Sequence, residues 1–306
     1  GKVAFPGKNT QILKIVDFLN ARARENQWGF VDFNRPMVAI NQWEQAADSM
    51  YTLCGKDRIH PSTDGHLVMA YLFLKAQGLA GKLVADIRID GAGKKVTRSD
   101  NCRVSDLSVS SDNLTFTYEA KSLPYPIDTS YYDIEKHTQA DALSVIPFMD
   151  EMNYEGLSVS GLSDGYYGLT IGGEFIGRFT ARELERGINM ALLQNTPQYK
   201  QAMKIRQMNE ERWLKERKMR EFYWVEYNLM RKTGMLWACD EAAVDTLRKY
   251  RPHDIFLQWN GDLWLQYMHK GIREDCVNEQ QDLVDRIYEQ NKPIPLQIEI
   301  KKFTDL

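Results

Sequence analysis

The sequence predicts an α/β layer in residues 1–80, a small antiparallel β region with one helix in residues 81–179, and a mainly helical region in residues 180–306. The spacing of apolar residues in each of the three regions predicts this order. Helical spacing alternates with a short apolar run in the first region, shortens to two in the second, and returns to the helical period in the third. Helix, strand and helix in succession are typical of an α/β layered domain.

In the first region, residues 8–27 have the apolar spacing of an amphipathic helix. Residues 30–33 predict a short apolar strand, and residues 36–47 a second helix. A loop over residues 55–63 follows. Asp64 is then predicted to cap a helix that ends near Gly78.

In the second region, residues 84–121 and 157–179 alternate apolar and polar side chains, which predicts two groups of strands around a helix at 138–153. The segment Gly-Leu-Ser-Asp-Gly at 161–165 also fits the G-x-S-x-G nucleophile elbow. That elbow needs a strand before it and a helix after it, whereas both flanks here alternate like strands. We therefore predict a hairpin turn in which Ser163 is structural.

The third region predicts a long helix over residues 198–232, another over 275–290, and a closing strand at 295–301. Aromatic residues of the long helix could stack on sugars or fill a core. The helical spacing of Trp213, Val225 and Leu229 favours the core.

Composition narrows the function classes. A net charge of −3 among 306 residues offers no basic field for nucleic acid. No apolar run approaches the roughly 20 residues that a membrane span needs. The four cysteines are scattered, and His137, His253 and His269 have no partners at ligand spacing, so we predict neither metal nor cofactor.

The strongest chemical signal is Asp57-Arg58-Ile59-His60-Pro61. An aspartate three residues before a histidine on a loop can turn its carboxylate onto the imidazole Nδ1. That contact fixes the tautomer and leaves Nε2 free to take a proton from a hydroxyl group. His66 is a second candidate imidazole, with packing the favoured alternative. Arg58 could meet a substrate anion or face solvent.

The segment Gly-Lys-Asp-Arg-Ile-His-Pro-Ser-Thr-Asp-Gly-His at 55–66, followed by an apolar helix, resembles the last conserved block of the SGNH (GDSL-type) esterases and acylhydrolases. Residues 79–306 resemble the C-terminal extension of a bacterial subgroup through four motifs. These are Ser-Leu-Pro-Tyr-Pro at 122–126, Ile-Gly-Arg-Phe-Thr-Ala-Arg-Glu-Leu at 176–184, Gly-Ile-Asn-Met-Ala at 187–191 and Asn-Thr-Pro-Gln at 195–198.

The resemblance implies a partial flavodoxin-like layer whose final strand is residues 30–33. It also implies that Asp57 is the orienting acid and His60 the general base. Family members place the nucleophile in a Gly-Asp-Ser block and supply the oxyanion hole from Gly and Asn in later blocks. This sequence contains no Gly-Asp-Ser and no Gly-x-Asn-Asp. The missing part should hold the first strands of the sheet.

The leading hypothesis is an SGNH-type esterase that acts on a carbohydrate ester or another polar small-molecule ester through a serine ester. The alternatives are a non-catalytic carbohydrate- or partner-binding accessory protein and an inactive truncated hydrolase fragment. An open sheet edge at residues 30–33 would need a cover, which we expect from residues 79–306, a second copy or a missing N-terminal segment. The resemblance implies a secreted or periplasmic protein.

Overall fold

The computed structural model describes residues 6–55, 57–129 and 137–303, which form two compact units. The first unit comprises residues 1–199 and 294–306, and the second comprises residues 200–293. The predicted combination of a mixed α/β part, an antiparallel sheet and a helical C-terminal region is confirmed. The domain boundaries predicted at residues 80 and 179 stay predictions.

Three helices precede the first strand: α1 (Lys8–Asn26), α2 (Asn34–Glu44) and α3 (Thr63–Ala76). All three were predicted. Ser62, rather than Asp64, occupies the N-cap position of α3, and Asp64 lies in the first turn. A carboxylate in a first helical turn interacts favourably with the unpaired backbone N–H groups there.

The strand predicted at residues 30–33 is wrong. Within the described part of the chain these residues pair with no neighbouring strand, and a strand exists only through the hydrogen bonds of a ladder. They instead lead into α2, where the Asp32 carboxylate accepts from the Arg35 amide at 3.1 Å and from its guanidinium at 2.6 Å.

In the described part of the chain, nine strands follow α3 in two sheets. They are β1 (Ala85–Asp90), β2 (Lys95–Asp100), β3 (Cys102–Val109), β4 (Asn113–Ala120), β5 (Glu155–Ser160), β6 (Tyr166–Ile171), β7 (Glu174–Thr180), β8 (Ile188–Asn189) and β9 (Leu296–Lys302). The four-stranded sheet has the order β2-β1-β5-β8, and the five-stranded sheet β3-β4-β9-β6-β7. Among these nine strands, the pairing of β1 with β5 is parallel and the other pairings are antiparallel.

The inward faces of the two sheets form the largest core of the first unit. Ile87 of β1, Leu157 of β5, Phe116 of β4 and Ile298 of β9 are completely buried in it. The alternation read from residues 84–121 is therefore correct, but those residues are not one antiparallel unit, because β1 and β2 belong to one sheet and β3 and β4 to the other.

The hairpin predicted around Ser163 is wrong, because the strands before and after it belong to different sheets. β5 ends at Ser160 in the four-stranded sheet and β6 begins at Tyr166 in the five-stranded sheet, so the turn crosses between sheets. Alternation identifies a strand, but its partner is chosen by contacts distant in sequence.

Short helices complete the first unit. The helix predicted at 138–153 is two pieces, a 3-10 helix (Gln139–Ser144) and α4 (Phe148–Glu151). Helix α5 (Ala181–Arg186) follows β7, and a 3-10 turn (Met190–Leu192) follows β8.

Helices build the second unit. α6 (Pro197–Val225) begins in the first unit, and a π-helix (Glu226–Met230) continues it. α7 (Glu241–Tyr250), a 3-10 turn (Arg251–His253), α8 (Ile255–Tyr267) and α9 (Lys270–Gln290) follow. Val225 and Leu229 lie in the core of this unit, as predicted, whereas Trp213 is 43% exposed.

Candidate active site

The loop that carries Asp57 and His60 is closed at its base by backbone contacts. An isolated antiparallel bridge joins Cys54 to Pro61, and the Gly55 amide donates to the His60 carbonyl at 2.9 Å. The Arg58 amide donates to the Gly55 carbonyl at 2.9 Å, and Arg58 adopts a left-handed φ of 57°. These contacts return the chain to the start of α3 in a tight turn.

Within this loop Asp57 makes the contact that the sequence predicts. One carboxylate oxygen, Oδ1, accepts from the backbone amides of Ile59 at 2.9 Å and His60 at 3.1 Å. The other, Oδ2, lies 2.5 Å from Nδ1 of His60. Because an ionised carboxylate can only accept, Nδ1 carries the proton in this bond.

The electrostatics of the pair favour an ionised aspartate. The hydrogen bond from His60, followed by those from the two backbone amides, lowers the pKa of Asp57 from 3.8 to about 2. The His60 side chain is 83% exposed, and within residues 6–55, 57–129 and 137–303 it makes no second side-chain hydrogen bond. Its Nε2 is therefore presented to solvent, where it can exchange a proton with a reacting group.

The start of α3 is hydrogen-bonded to the segment that leads into the loop. Ser62 is buried, and its amide and hydroxyl both donate to the Leu53 carbonyl, at 3.1 Å and 3.0 Å. The Ser62 hydroxyl also contacts Oδ1 of Asp64. With its hydroxyl held by two acceptors, this serine is not a free nucleophile beside His60.

Two other predicted candidates, His66 and Arg58, lie within six residues of His60 in the sequence. His66 is exposed in the first turn of α3. Arg58 turns its guanidinium toward the carbonyls of Tyr51 and Met50, at 3.5 Å each.

Ser163 lies in the crossing between β5 and β6. Its hydroxyl accepts from Nζ of Lys302 at 2.8 Å and lies 3.1 Å from the Tyr167 hydroxyl. The segment after it is a strand rather than a helix, so the strand–turn–helix geometry of a nucleophile elbow is not formed.

Sequence reasoning missed one contact. Nδ1 of His137 lies 3.2 Å from Oδ2 of Asp64, whose side chain is only 3% exposed. The two residues are 73 positions apart, so no local spacing could have indicated the pair.

Within the residues that the structure describes, no group of three or more His, Cys, Asp or Glu side chains has an arrangement suited to a metal ion. No helix in those same ranges combines the length and apolar character of a membrane span.

Comparison with known proteins gives two matches. Residues 203–292 match the family model described as the diltiazem deacetylase C-terminal helical domain. A solved structure described as a gut microbial diltiazem-metabolizing enzyme is 41% identical to this chain, with a TM-score of 0.92; the match covers 99% of this chain and 68% of that chain. No curated protein matches.

Proposed function

This chain belongs to the family of that diltiazem-metabolizing enzyme, and we propose that the whole protein is a hydrolase that removes an acyl group from a small polar ester. The finer proposal is an SGNH-type serine mechanism. The observation that supports it is the 2.5 Å contact between Asp57 and an exposed His60 on one closed loop. The names of the two matches, a deacetylase and a diltiazem-metabolizing enzyme, support ester hydrolysis with an acetyl group as the first substrate to test.

In this mechanism His60 accepts the proton of a serine hydroxyl through Nε2 as that oxygen attacks the ester carbonyl. Asp57 holds the imidazole and stabilises its cationic form. His60 then returns the proton to the departing alcohol, and the acyl-serine is hydrolysed by water that His60 activates in the same way.

We place the nucleophile outside residues 1–306. The sequence has no Gly-Asp-Ser block, and the matching structure contains additional chain, since 68% of it is covered. The proposal is that a segment equivalent to the uncovered part brings the serine and the oxyanion donors to His60.

An apolar surface on the N-terminal helices supports that arrangement. Ile15 and Phe18 of α1 are 58% and 61% exposed, Trp43 of α2 is 80% exposed, and Ile59 beside His60 is 49% exposed. Large apolar side chains exposed to this extent are candidates for an interaction site. We propose that the nucleophile-bearing segment covers it; a second copy of this chain is the competing occupant.

A carbohydrate ester is one substrate class within this proposal, and secretion or a periplasmic location is its corollary. The competing function, a non-catalytic binding protein, is favoured by one observation, the absence of the serine block from this sequence.

The test compares this chain with a version extended at its N-terminus by its own upstream coding sequence. We expect hydrolysis of p-nitrophenyl acetate by the extended protein only, with kcat/KM reduced roughly 10³-fold or more by His60→Ala. His66→Ala is the matched control, since His66 is an exposed imidazole close by, and its activity should stay near wild type.

Two results would contradict the proposal. Undiminished activity of the extended His60→Ala variant would remove His60 as the base. Activity in the short chain would require a nucleophile within residues 1–306, and Ser163 would be the first to substitute.

A further inference from the structure

Asp64 is a buried acid in the first turn of α3, which directly follows the loop of the Asp57–His60 pair. Asp64 is 2% exposed, and its two carboxylate oxygens face different parts of the first unit. Oδ1 accepts from the Gly65 amide at 2.8 Å and contacts the Ser62 hydroxyl. Oδ2 faces Nδ1 of His137 at 3.2 Å.

The Ser62 contact connects Asp64 to the base of the loop. The Ser62 hydroxyl that meets Asp64 also donates to the Leu53 carbonyl at 3.0 Å, and Leu53 immediately precedes the Cys54–Pro61 bridge. The segment that enters the loop and the segment that leaves it are therefore joined through the Ser62 hydroxyl, and the contact with Asp64 fixes the orientation of that hydroxyl.

Close packing at Gly65 shows how tightly this junction is built. A Cβ on Gly65 would lie 2.0 Å from the Leu53 carbonyl oxygen and 3.3 Å from Cβ of Pro61. The first turn of α3 thus approaches both ends of the loop without a side chain between them.

His137 gives the buried carboxylate its cationic or N–H partner from a distant segment. A buried carboxylate is costly unless it is paired and hydrogen-bonded, and here a hydroxyl, an amide and an imidazole satisfy it. The side chain of His137 is 27% exposed, so it shields Asp64 while remaining partly in contact with solvent.

We infer that Asp64 is a positioning residue for His60, acting through Ser62, and that His137 holds Asp64 in place. This inference rests on the proposed role of His60 as the base. The ordinary alternative is that Asp64 only stabilises the first turn of α3 as a helix-terminal acid.

The titration of Asp57 separates these two roles in the chain as it exists. Its low pKa, about 2, depends first on the bond from His60, so it reports whether the pair keeps its geometry. Among the described residues of the loop, Cys54 and Arg58 are the other ionisable groups near Asp57 and its partner His60, and neither is altered in the variants below. The carboxyl carbon of Asp57 can be followed by ¹³C NMR from pH 1.5 to 6 within the range where each variant stays folded.

We expect the Asp57 pKa to rise from about 2 toward its ordinary 3.8 in Asp64→Ala and in Ser62→Ala. Ser62→Thr retains the hydroxyl and should restore the low value. His137→Ala should produce a smaller rise than Asp64→Ala, because Ser62 and Gly65 still orient Asp64.

The matched control is Glu183→Ala. Glu183 is also a first-turn acid, and its carboxylate accepts from Thr180 at 2.7 Å in a capping box of α5. Its loss should lower stability and leave the Asp57 pKa at about 2. The same value in folded Asp64→Ala and Ser62→Ala would overturn the inference, and Ser62→Ala alone decides the matter if Asp64→Ala does not fold.

The inference and the proposed function fail separately. An Asp57 pKa that stays at about 2 in both folded variants refutes the positioning role even if the extended protein is an esterase. An extended protein without esterase activity refutes the function, while the Asp57 titration still reports on the junction.

Discussion

The β-sandwich, which the two sheets form, and the N-terminal helices α1 and α2 belong to the same unit. They bury their apolar residues to very different extents. In β4, Leu114, Phe116 and Tyr118 are at most 1% exposed, because both sheets cover that face. In α1, which has 19 residues, Ala23 alone is buried. The sandwich completes its own core, whereas the N-terminal helices display an apolar surface.

The share of buried apolar residues in α3 is intermediate between those of β4 and α1. Leu53, Val68 and Tyr71 pack with Ile127 and Phe148 in a second core of the first unit. The Tyr71 hydroxyl and Nζ of Lys75 both contact Glu151 at 2.8 Å. Helix α3, which directly follows the Asp57–His60 loop, is therefore anchored to this second core and to α4.

The largest expected effect contrasts the two regions directly. Phe116→Ala in the sandwich should lower the free energy of unfolding by about 3–5 kcal/mol, because it leaves a cavity at a completely buried position. Phe18→Ala on the exposed face of α1 should change it by less than about 0.5 kcal/mol. Urea unfolding of both variants measures the difference, and equal losses would show that α1 is packed in solution.

Glu155 tests the sandwich interior by pH. It is completely buried, accepts from the Tyr118 hydroxyl at 2.8 Å and from Gln198 at 3.2 Å, and burial raises its pKa from 4.5 to about 7. The folded state therefore binds a proton that the unfolded state releases, so stability should fall by about 3 kcal/mol as pH rises from 4.5 to 7.

Glu155→Gln cannot ionise and should remove most of this pH dependence, leaving the variant more stable than wild type at pH 8. Urea unfolding at half-unit intervals between pH 4.5 and 8 measures it. Glu119→Gln, at a partly exposed position of β4, should keep the wild-type profile. An unchanged profile in Glu155→Gln would assign the pH dependence to other groups.

Gly65 tests whether the junction between the Asp57–His60 loop and α3 is packed as closely as the β-sandwich. Gly65→Ala should cost about 1–3 kcal/mol, since its Cβ would meet the Leu53 carbonyl at 2.0 Å. Gly271 lies in the first turn of α9, and a Cβ added there would have open space around it to 4 Å. Gly271→Ala should instead stabilise the chain by up to about 1 kcal/mol. Thermal unfolding compares them, and a stabilising Gly65→Ala would contradict the close approach.

The smallest effect on stability is expected from Ile15→Ser. Its side chain is 58% exposed, so the free energy of unfolding should change by less than about 0.5 kcal/mol. If a second copy covers this surface, sedimentation velocity should show weaker self-association in the variant. A sedimentation profile that is monomeric for both proteins would favour the nucleophile-bearing segment as the cover.

The Asp57–His60 contact could be predicted because it is local. Three residues separate the two side chains, and the Asp57 carboxylate turns the chain onto itself through the amides of Ile59 and His60. The buried alternation of β4 and the helical core positions Val225 and Leu229 were likewise readable, since each depends on the period of one element.

Partners distant in sequence were not readable. β6 pairs with β9, about 130 residues later, so the turn at Ser163 could not be distinguished from a hairpin by its flanks. The strand expected at residues 30–33 had the right composition, but its formation depends on a neighbour that residue spacing does not specify.

The sequence by itself predicted most of the helices and strands and the contact between Asp57 and His60, because each follows from contacts within a few residues. Only the tertiary structure decided which sheet each strand joined, that Glu155 is completely buried with Tyr118 and Gln198 as hydrogen-bond donors, and that His137 meets Asp64. Those features depend on which surfaces exclude water together, and many pairings of the same segments satisfy the same local pattern.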